Sequence, residues 1–511
     1  WVLRDEKLLQ INSDEVKTGE TVIVYPGEQI PVDGEVIKGN STIDEQQLTG
    51  ESMPIVAQVG TVVYASTLVR SGQIYIRADR VGTNTRAAAS LELLQNAPVY
   101  DTRMANYAAK LADKLILPSL GLAGIVLAAT KEPARAASIL TLDFVTGIRV
   151  SMPTAFLGAL NHNTRHGILI RSGRTIEQLA EVDTVVFDKT GTLTQGQLTV
   201  VDIQTIPGRM SAEKVLSLAA AAEQRIAHPV AEAITNYAQS QNLNIPRRQQ
   251  WDYEVGLGIR AIIEEKEVLV GSERFLAQEE ISLELLENND LSLLHSCDLE
   301  QKSATSVWLS SIYIACDGVF QGVIQYADPI RPESRALITS LQAYGREIHL
   351  LTGDNPQRAK IVAEELNIPL TQVHARAFPE KKAAIIRDLK LAGKTVAFVG
   401  DGLNDSVALA YADVSVSFAN GSDIAREIAD VVLMNNNLAS LMEALNIAQD
   451  TKKLIEQNTL LVVAPNLVAL GLASTVGLNP LVATVVHNGS AIAAGLNSLR
   501  PLIQHQMEEN N

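Results

Sequence analysis

Residues 185–195 read VVFDKTGTLTQ: an aspartate stands at the end of a short apolar run and is followed at once by Lys, Thr and Gly. Val185, Val186 and Phe187 are the β-branched and aromatic residues of a buried strand, and the Thr/Gly cluster after them reads as a loop. Asp188 therefore sits at the carboxyl end of a strand. In an open parallel sheet that edge is where ligands bind, so this carboxylate is placed to meet substrate; a loop-capping aspartate is the plainer alternative. Two more runs share the pattern. EIHLLTGD (347–354) and TVAFVGDG (395–402) each end in an aspartate beside glycine, with the helical PEKKAAIIRDLKLAG (379–393) between them. The alternation predicts a doubly wound α/β sheet that delivers Asp188, Asp354 and Asp401 to one edge.

Carboxylates gathered in this way attract Mg2+, a hard ion that takes oxygen ligands and bridges to phosphate. Phosphoryl transfer follows as the chemistry, with Asp188 as nucleophile, Lys189 and Lys381 as neutralising cations and Thr352 as a hydrogen-bond donor. Thr190 stands where a second aspartate would activate water, so an acyl phosphate formed here persists until a carboxylate arrives from elsewhere. Glu51 of LTGES (48–52), on a Gly-containing loop among the strand-like repeats of residues 20–80, is the candidate.

At 511 residues the chain is long enough for about three or four domains. Its net charge of -16 leaves no basic excess to neutralise phosphates, which excludes a nucleic-acid partner. Cys297 and Cys316 lie apart with no CxxC or Cys/His spacing, so neither a disulfide framework nor a structural zinc site is indicated. The start at Trp1, with no signal-like segment, reads as a chain that begins partway through a longer protein.

Apolar runs fall in two separated pairs. Leu115–Thr130 is uncharged and is followed, after KEPAR (131–135), by Ala136–Leu160; Thr459–Leu478 and Pro480–Leu499 are uncharged for twenty residues each. Two helical hairpins spanning a lipid bilayer are expected. Everything between Gly167 and Gln457 then lies on one face, and the basic NTRHGILIRSGR (163–174) makes that face cytoplasmic. Asp143, Arg149 and SMPT (151–154) interrupt the second run, and charge inside a membrane is read as functional. Pro153 is expected to break the helix and free an upstream carbonyl for an ion.

These residues carry a resemblance: the chain looks like a P-type ATPase of the heavy-metal-transporting branch. DKTGTLT has a chance frequency on the order of one per billion positions, and TGES, TGD, PEKK and GDGLNDSVAL occur in the family's order. The resemblance implies a multidomain membrane protein of the bacterial plasma-membrane type. Its parts would be a mainly-β actuator domain (1–90), a transmembrane helix pair (91–165), a haloacid-dehalogenase-like phosphorylation domain (166–200 and 323–452) with an inserted α+β nucleotide-binding domain (201–322), and a last helix pair with a tail (453–511). By resemblance Asp188 is phosphorylated and Glu51 directs water onto it. Asp188, the Thr190 carbonyl and Asp401, with Asp405 nearby, hold Mg2+, while Thr352, Lys381 and Asn404 hold the phosphate. AHPVAEAI (227–234) matches the branch's nucleotide motif through His228 and Pro229, so ATP is implied, with Glu223, Gly256, Gly258, Gly353 and Asp354 completing its site.

The branch usually carries cysteine beside its membrane proline, where this chain has SMPT, so copper(I) loses its main support without being excluded. Asp143, Thr146, Ser151, Met152 and Thr154, with Asn466, His487, Asn488 and Ser490, leave mostly oxygen and imidazole donors. Such a set suits Mn2+, Zn2+ or Co2+ as the transported cation. A membrane-anchored aspartyl phosphatase and a potassium-pump subunit are the competing readings; Thr190 counts against the first and the His-Pro motif against the second.

Overall fold

The computed structural model describes residues 1–511 apart from 5–6, 52, 90–102, 143–144, 227, 255–256, 282–309 and 501–511. Three sheets organise what lies outside the long helices. The first is antiparallel, in the order Lys7–Leu9, Val2–Arg4, Thr21–Val24, Leu68–Arg80, Asp33–Asp44 and Ile55–Ala57, with Val62–Val63 also on Asp33–Asp44. Its alternating apolar residues, among them Val36, Ile43, Val69, Ile74 and Ile76, close a core of their own. At the end of Asp33–Asp44 a single turn of helix, Gln46–Thr49, terminates on the left-handed Gly50 and hands the chain to Glu51.

The strand predicted around Asp188 is Thr184–Asp188, central in a seven-stranded sheet ordered Val373–His374, Glu347–Leu351, Thr184–Asp188, Val396–Val399, Val414–Phe418, Val431–Leu433 and Ile168–Ile170. All neighbours are parallel except the last pair. Helices cover both faces, which is why Val185, Val186 and Phe187 are fully buried and the run is continuously apolar. Register places Leu351 opposite Asp188 and Val399 opposite Phe187, so Asp354 and Asp401 leave their strands at the same carboxyl edge. The doubly wound α/β expectation holds.

Between its halves lies a six-stranded antiparallel sheet, Thr199–Thr205, Val319–Ala327, Ser310–Cys316, Lys266–Gly271, Gly258–Ile263 and Arg248–Glu254. Helices Ala212–Glu223 and Pro229–Ser240 pack on it through Val215, Leu218, Ala222 and Ile234. Cys316 is buried there, and Cys297 lies outside the described residues.

The apolar runs form helices Arg103–Thr130, Pro133–Thr141, Val145–Arg165, Ser440–Thr475 and Pro480–Ser498. The helix pair expected over 91–165 is therefore three helices, and Ala136–Leu160 is not one span. Leu142 turns extended and ends the nine-residue Pro133–Thr141, a length of about 14 Å that does not cross hydrocarbon alone. Pro153, expected to be the break, lies inside an uninterrupted helix. Proline forfeits one backbone bond there, and the helix is held by Ile148 against Val462 and Ala494 and by the Ser498 hydroxyl donating to the Ser151 carbonyl at 2.8 Å. Among the described residues, Ser440–Thr475 is the helix both long and apolar enough to cross a membrane. Leu117, Ile125, Leu157, Leu460, Val468, Leu481 and Ile492 on these helices are exposed, an apolar outer belt that water would not stabilise.

Candidate active site

Asp188 is 3 % exposed and begins a turn through residues 189–193. Gly191 adopts a left-handed φ of 76°, and a Cβ there would fall 2.2 Å from Asp401 Oδ2, so only glycine lets the loop approach the second aspartate. Residues that sequence reasoning missed fix this turn. Arg331 donates to the carbonyls of Gly191 (2.7 Å), Thr194 (3.1 Å) and Asn436 (3.0 Å). Asp328 accepts from Thr194 Oγ1 at 2.6 Å and from the Gly196 amide at 2.8 Å. Their trace in the sequence is DPIRP (328–332), two charges pinned by prolines between a strand and a helix.

The cation beside Asp188 is Lys382. Its ammonium is fully buried and donates to Asp188 Oδ1 at 2.5 Å and Asp405 Oδ1 at 2.7 Å. Lys381, the residue expected there, instead donates to the Ala375 carbonyl at 2.8 Å from an exposed position. Adjacent residues on a helix point about 100° apart, and the buried positions of Pro379–Leu391, namely Pro379, Lys382, Ala383 and Ile386, set the phase. Ala383, Ala384, Ile385 and Ile386 are apolar in succession, so the sequence allows either lysine to face inward and packing decides the phase. Lys382→Met should cut phosphoenzyme formation from ATP by roughly 10²-fold or more per folded protein. Lys381→Met should stay within about twofold, as a surface change does. Acid-stable labelling of both variants checks this, and equal losses would return the role to Lys381.

Glu51 arrives at the same edge from the first sheet. Lys189 Nζ bridges Glu51 Oε2 at 2.8 Å and Asp354 Oδ2 at 2.5 Å, and Thr352 Oγ1 donates to Glu51 Oε1 at 3.3 Å. Gly50 comes against the Asn404 side chain. Asp188, Asp401 and Asp405 offer carboxylate oxygens all within 4.8 Å of one another. Burial, then Asp405, raises the Asp188 carboxyl to about 8 despite Lys382, and burial likewise raises Asp401 to about 7. Three carboxylates facing one ammonium leave two negative charges to be met, the charge of one divalent cation, and the donors are hard oxygens. Thr190 Oγ1 and Asn404 Nδ2 are buried without a hydrogen-bond partner, as donors or acceptors awaiting a polar group would be.

Three family models match the chain: a P-type ATPase actuator domain over residues 1–95 and two of haloacid dehalogenase-like hydrolases, over residues 182–413 and 382–445. A manganese-exporting P-type ATPase of Mycobacterium tuberculosis is 33 % identical over 502 residues, covering 98 % of this chain and 68 % of its own length. The chain belongs to the P-type ATPase family. A zinc-exporting P-type ATPase of Mycobacterium marinum is also 33 % identical over 502 residues, covering 98 % of this chain and 67 % of its own. Two solved structures of a zinc-transporting PIB-type ATPase, 26 % identical and covering 98 % of this chain and 81 % of theirs, superpose with TM-scores of 0.82 and 0.74. The ATPase thus falls in the heavy-metal branch.

In the sheet between the two halves of its hydrolase-like domain, the ATPase buries Glu223 at the end of a helix, where burial pushes the carboxyl to about 7 while Arg248 opposes the rise. Arg248 donates to the Ala222 carbonyl at 2.6 Å and lies over Trp251. His228 caps Pro229–Ser240, its Nδ1 accepting from the Val230 amide at 3.3 Å, with Pro229 at the first helical position. Burial, then Arg70, lowers its pKa. Gly258 is needed for packing, since a Cβ would meet Phe275 Cδ1 at 2.6 Å. Gly256 lies outside the described residues, as does Asp143.

Among the membrane candidates, Asn466 and Ser490 of the ATPase meet: Asn466 Nδ2 donates to Ser490 Oγ at 2.9 Å, and Ser490 Oγ donates to the His487 carbonyl at 2.8 Å. Asn466 Oδ1 and His487 Nδ1 are buried with no hydrogen-bond partner. The others do not gather there. Thr154 Oγ1 donates to its own helix at Val150, and Asn488 is exposed. Met152 packs with Ile148, Val462 and Ala494, and with Leu454 and Ile455.

Proposed function

We propose that this ATPase exports a divalent heavy-metal cation from the cytoplasm, using ATP through a phosphoaspartate on Asp188, with its three sheet domains on the cytoplasmic side of a plasma membrane. The observation that carries the reading is Glu51, brought from a separate domain to hydrogen bonds with Lys189 and Thr352 at the edge that holds Asp188. Phosphorylating and hydrolysing groups on different domains allow a motion between the two steps. The basic residues that follow helix Val145–Arg165 favour the cytoplasmic assignment.

In the first step an Asp188 carboxylate oxygen attacks the γ-phosphorus in line, the bond to the β-phosphate oxygen breaks, and ADP leaves. Lys382 holds Asp188 and neutralises charge, while Asn404 Nδ2 and the Thr190 hydroxyl are placed to meet phosphoryl oxygens. Asp188, Asp401, Asp405 and the Thr190 carbonyl would hold Mg2+, which supplies charge neutralisation between carboxylate and phosphate when bound. In the second step Glu51 takes a proton from water as its oxygen attacks phosphorus, and the Asp188 carboxylate leaves. Thr190 holds no second carboxylate to do this prematurely.

Asn466 Oδ1 and His487 Nδ1, with Ser490 between them, form the ion site in this reading. One amide oxygen and one imidazole suit Mn2+, Zn2+ or Co2+. Relatives named for manganese and for zinc both match at 33 % identity, so ligand chemistry carries the choice. His487→Ala should reduce metal-stimulated phosphorylation from ATP by about 10- to 100-fold in apparent metal affinity, as loss of a ligand or its orientation does. Phosphorylation from inorganic phosphate should be unchanged. Full stimulation by all three ions in both His487→Ala and Asn466→Leu would remove this site, and copper(I) at Met152 would take its place.

A further inference from the structure

Glu45 has no place in the chemistry above, yet it is a buried carboxylate with an unpartnered oxygen. It follows strand Asp33–Asp44 and precedes the turn that ends at Glu51. The residue is 8 % exposed, and its Oε1 has no hydrogen-bond partner. It lines a cavity of about 390 Å³ whose walls come from all three sheet domains: Thr49 and Met53 from the first, Ser310 and Tyr326 from the second, Lys189 and Phe378 from the third. Beside it the first domain docks on the third through Tyr64, edge-on to Phe378 at 5.4 Å, with the Arg86 guanidinium 4.8 and 4.5 Å from the two rings.

Among the described residues, every charge facing this cavity is engaged elsewhere or repels a carboxylate. Lys189 is held by Glu51 and Asp354, Arg358 lies 3.8 Å from Asp354, and Arg86 is stacked on the two rings. Asp44 is adjacent in sequence and paired with Arg70, while Asp328 and Glu51 add negative charge to the walls. A charged Glu45 would therefore be desolvated without compensation. Separating the domains removes the walls supplied by Ser310, Tyr326 and Phe378 and returns the carboxyl to water.

We propose that Glu45 is a proton-uptake group for domain docking: it is neutral when the first domain closes over Asp188 and ionised when that domain swings away. This rests on the phosphoaspartate reading and adds a proton to its domain movement. Burial, with Asp44 second, pushes Glu45 up to about 7 in the docked arrangement. The raised value means docking is favoured at acid pH. It weakens about tenfold per pH unit from the ordinary carboxylate range up to about 7, then levels off where both states are ionised.

The test is phosphorylation of the full-length protein by inorganic phosphate, without transported metal, at about pH 5.5 and about pH 7.5. Only the docked arrangement brings Glu51 to Asp188. The apparent phosphate affinity of Glu45→Gln relative to the parent should grow by about twentyfold between the two pH values. Glu45→Ala, which also lacks the ionisable group, should follow the same trend and covers a folding defect in the glutamine variant. A ratio that is flat with pH in both variants overturns the assignment. A parent that inorganic phosphate does not label at either pH overturns the phosphoaspartate reading and this inference with it.

Discussion

Asp188→Asn should yield no acid-stable phosphoenzyme from either ATP or inorganic phosphate. An amide nitrogen or oxygen is a poor nucleophile toward phosphorus, and the change also removes one of three carboxylates available to a divalent cation. The fold should persist, because Asp188 is one of three clustered carboxylates that repel each other and Lys382 retains Asp405. Loss of labelling should therefore come with unchanged far-UV circular dichroism and no fall in melting temperature. Label that survives in this variant would move the nucleophile elsewhere on the sheet edge.

Glu51→Gln should act in the opposite sense on the second half of the cycle. The glutamine keeps a similar shape on the same loop, but it cannot take a proton from the attacking water, and Lys189 keeps its 2.5 Å partner Asp354. Phosphoenzyme should form at close to the parent rate and decay about 10²- to 10⁴-fold more slowly, the usual worth of a general base. A chase of labelled protein with unlabelled ATP measures the decay. Decay at the parent rate would show that a different group activates water. The pair of variants separates the two steps: one never labels and the other stays labelled.

Sequence alone carried the phosphorylation domain because its evidence is local. Short, continuous β-branched and aromatic runs that end in aspartate and glycine read as strands buried on both faces, and parallel strands bring their carboxyl ends together whatever lies between them. The same locality made Glu51 readable as a candidate on its Gly-containing loop; the His-Pro pair was read only as a nucleotide motif, and its place at the start of helix Pro229–Ser240 came from the structure. Lys381 against Lys382 was not settled locally, since residues 383–386 are all apolar and only packing makes 379, 383 and 386 the buried positions.

Other features had no local cause. Arg331 is recruited by three carbonyls from two separate segments, and Glu45 is neutralised by walls belonging to domains hundreds of residues away. Composition marks the membrane segments as apolar, but where a helix is interrupted depends on which partner helices pack along it. Pro153 therefore passes inside a helix supported by Ser440–Thr475 and Pro480–Ser498, and the interruption falls at Leu142 instead. Met152 stands beside its proline in the chain, and its packing against the clusters of Ile148, Val462 and Ala494 and of Leu454 and Ile455 was set by which helices meet. What a residue can do chemically was thus written in the sequence. Which charges and helices it meets was decided only when distant segments packed, since desolvation and hydrogen bonding depend on all the neighbours at once.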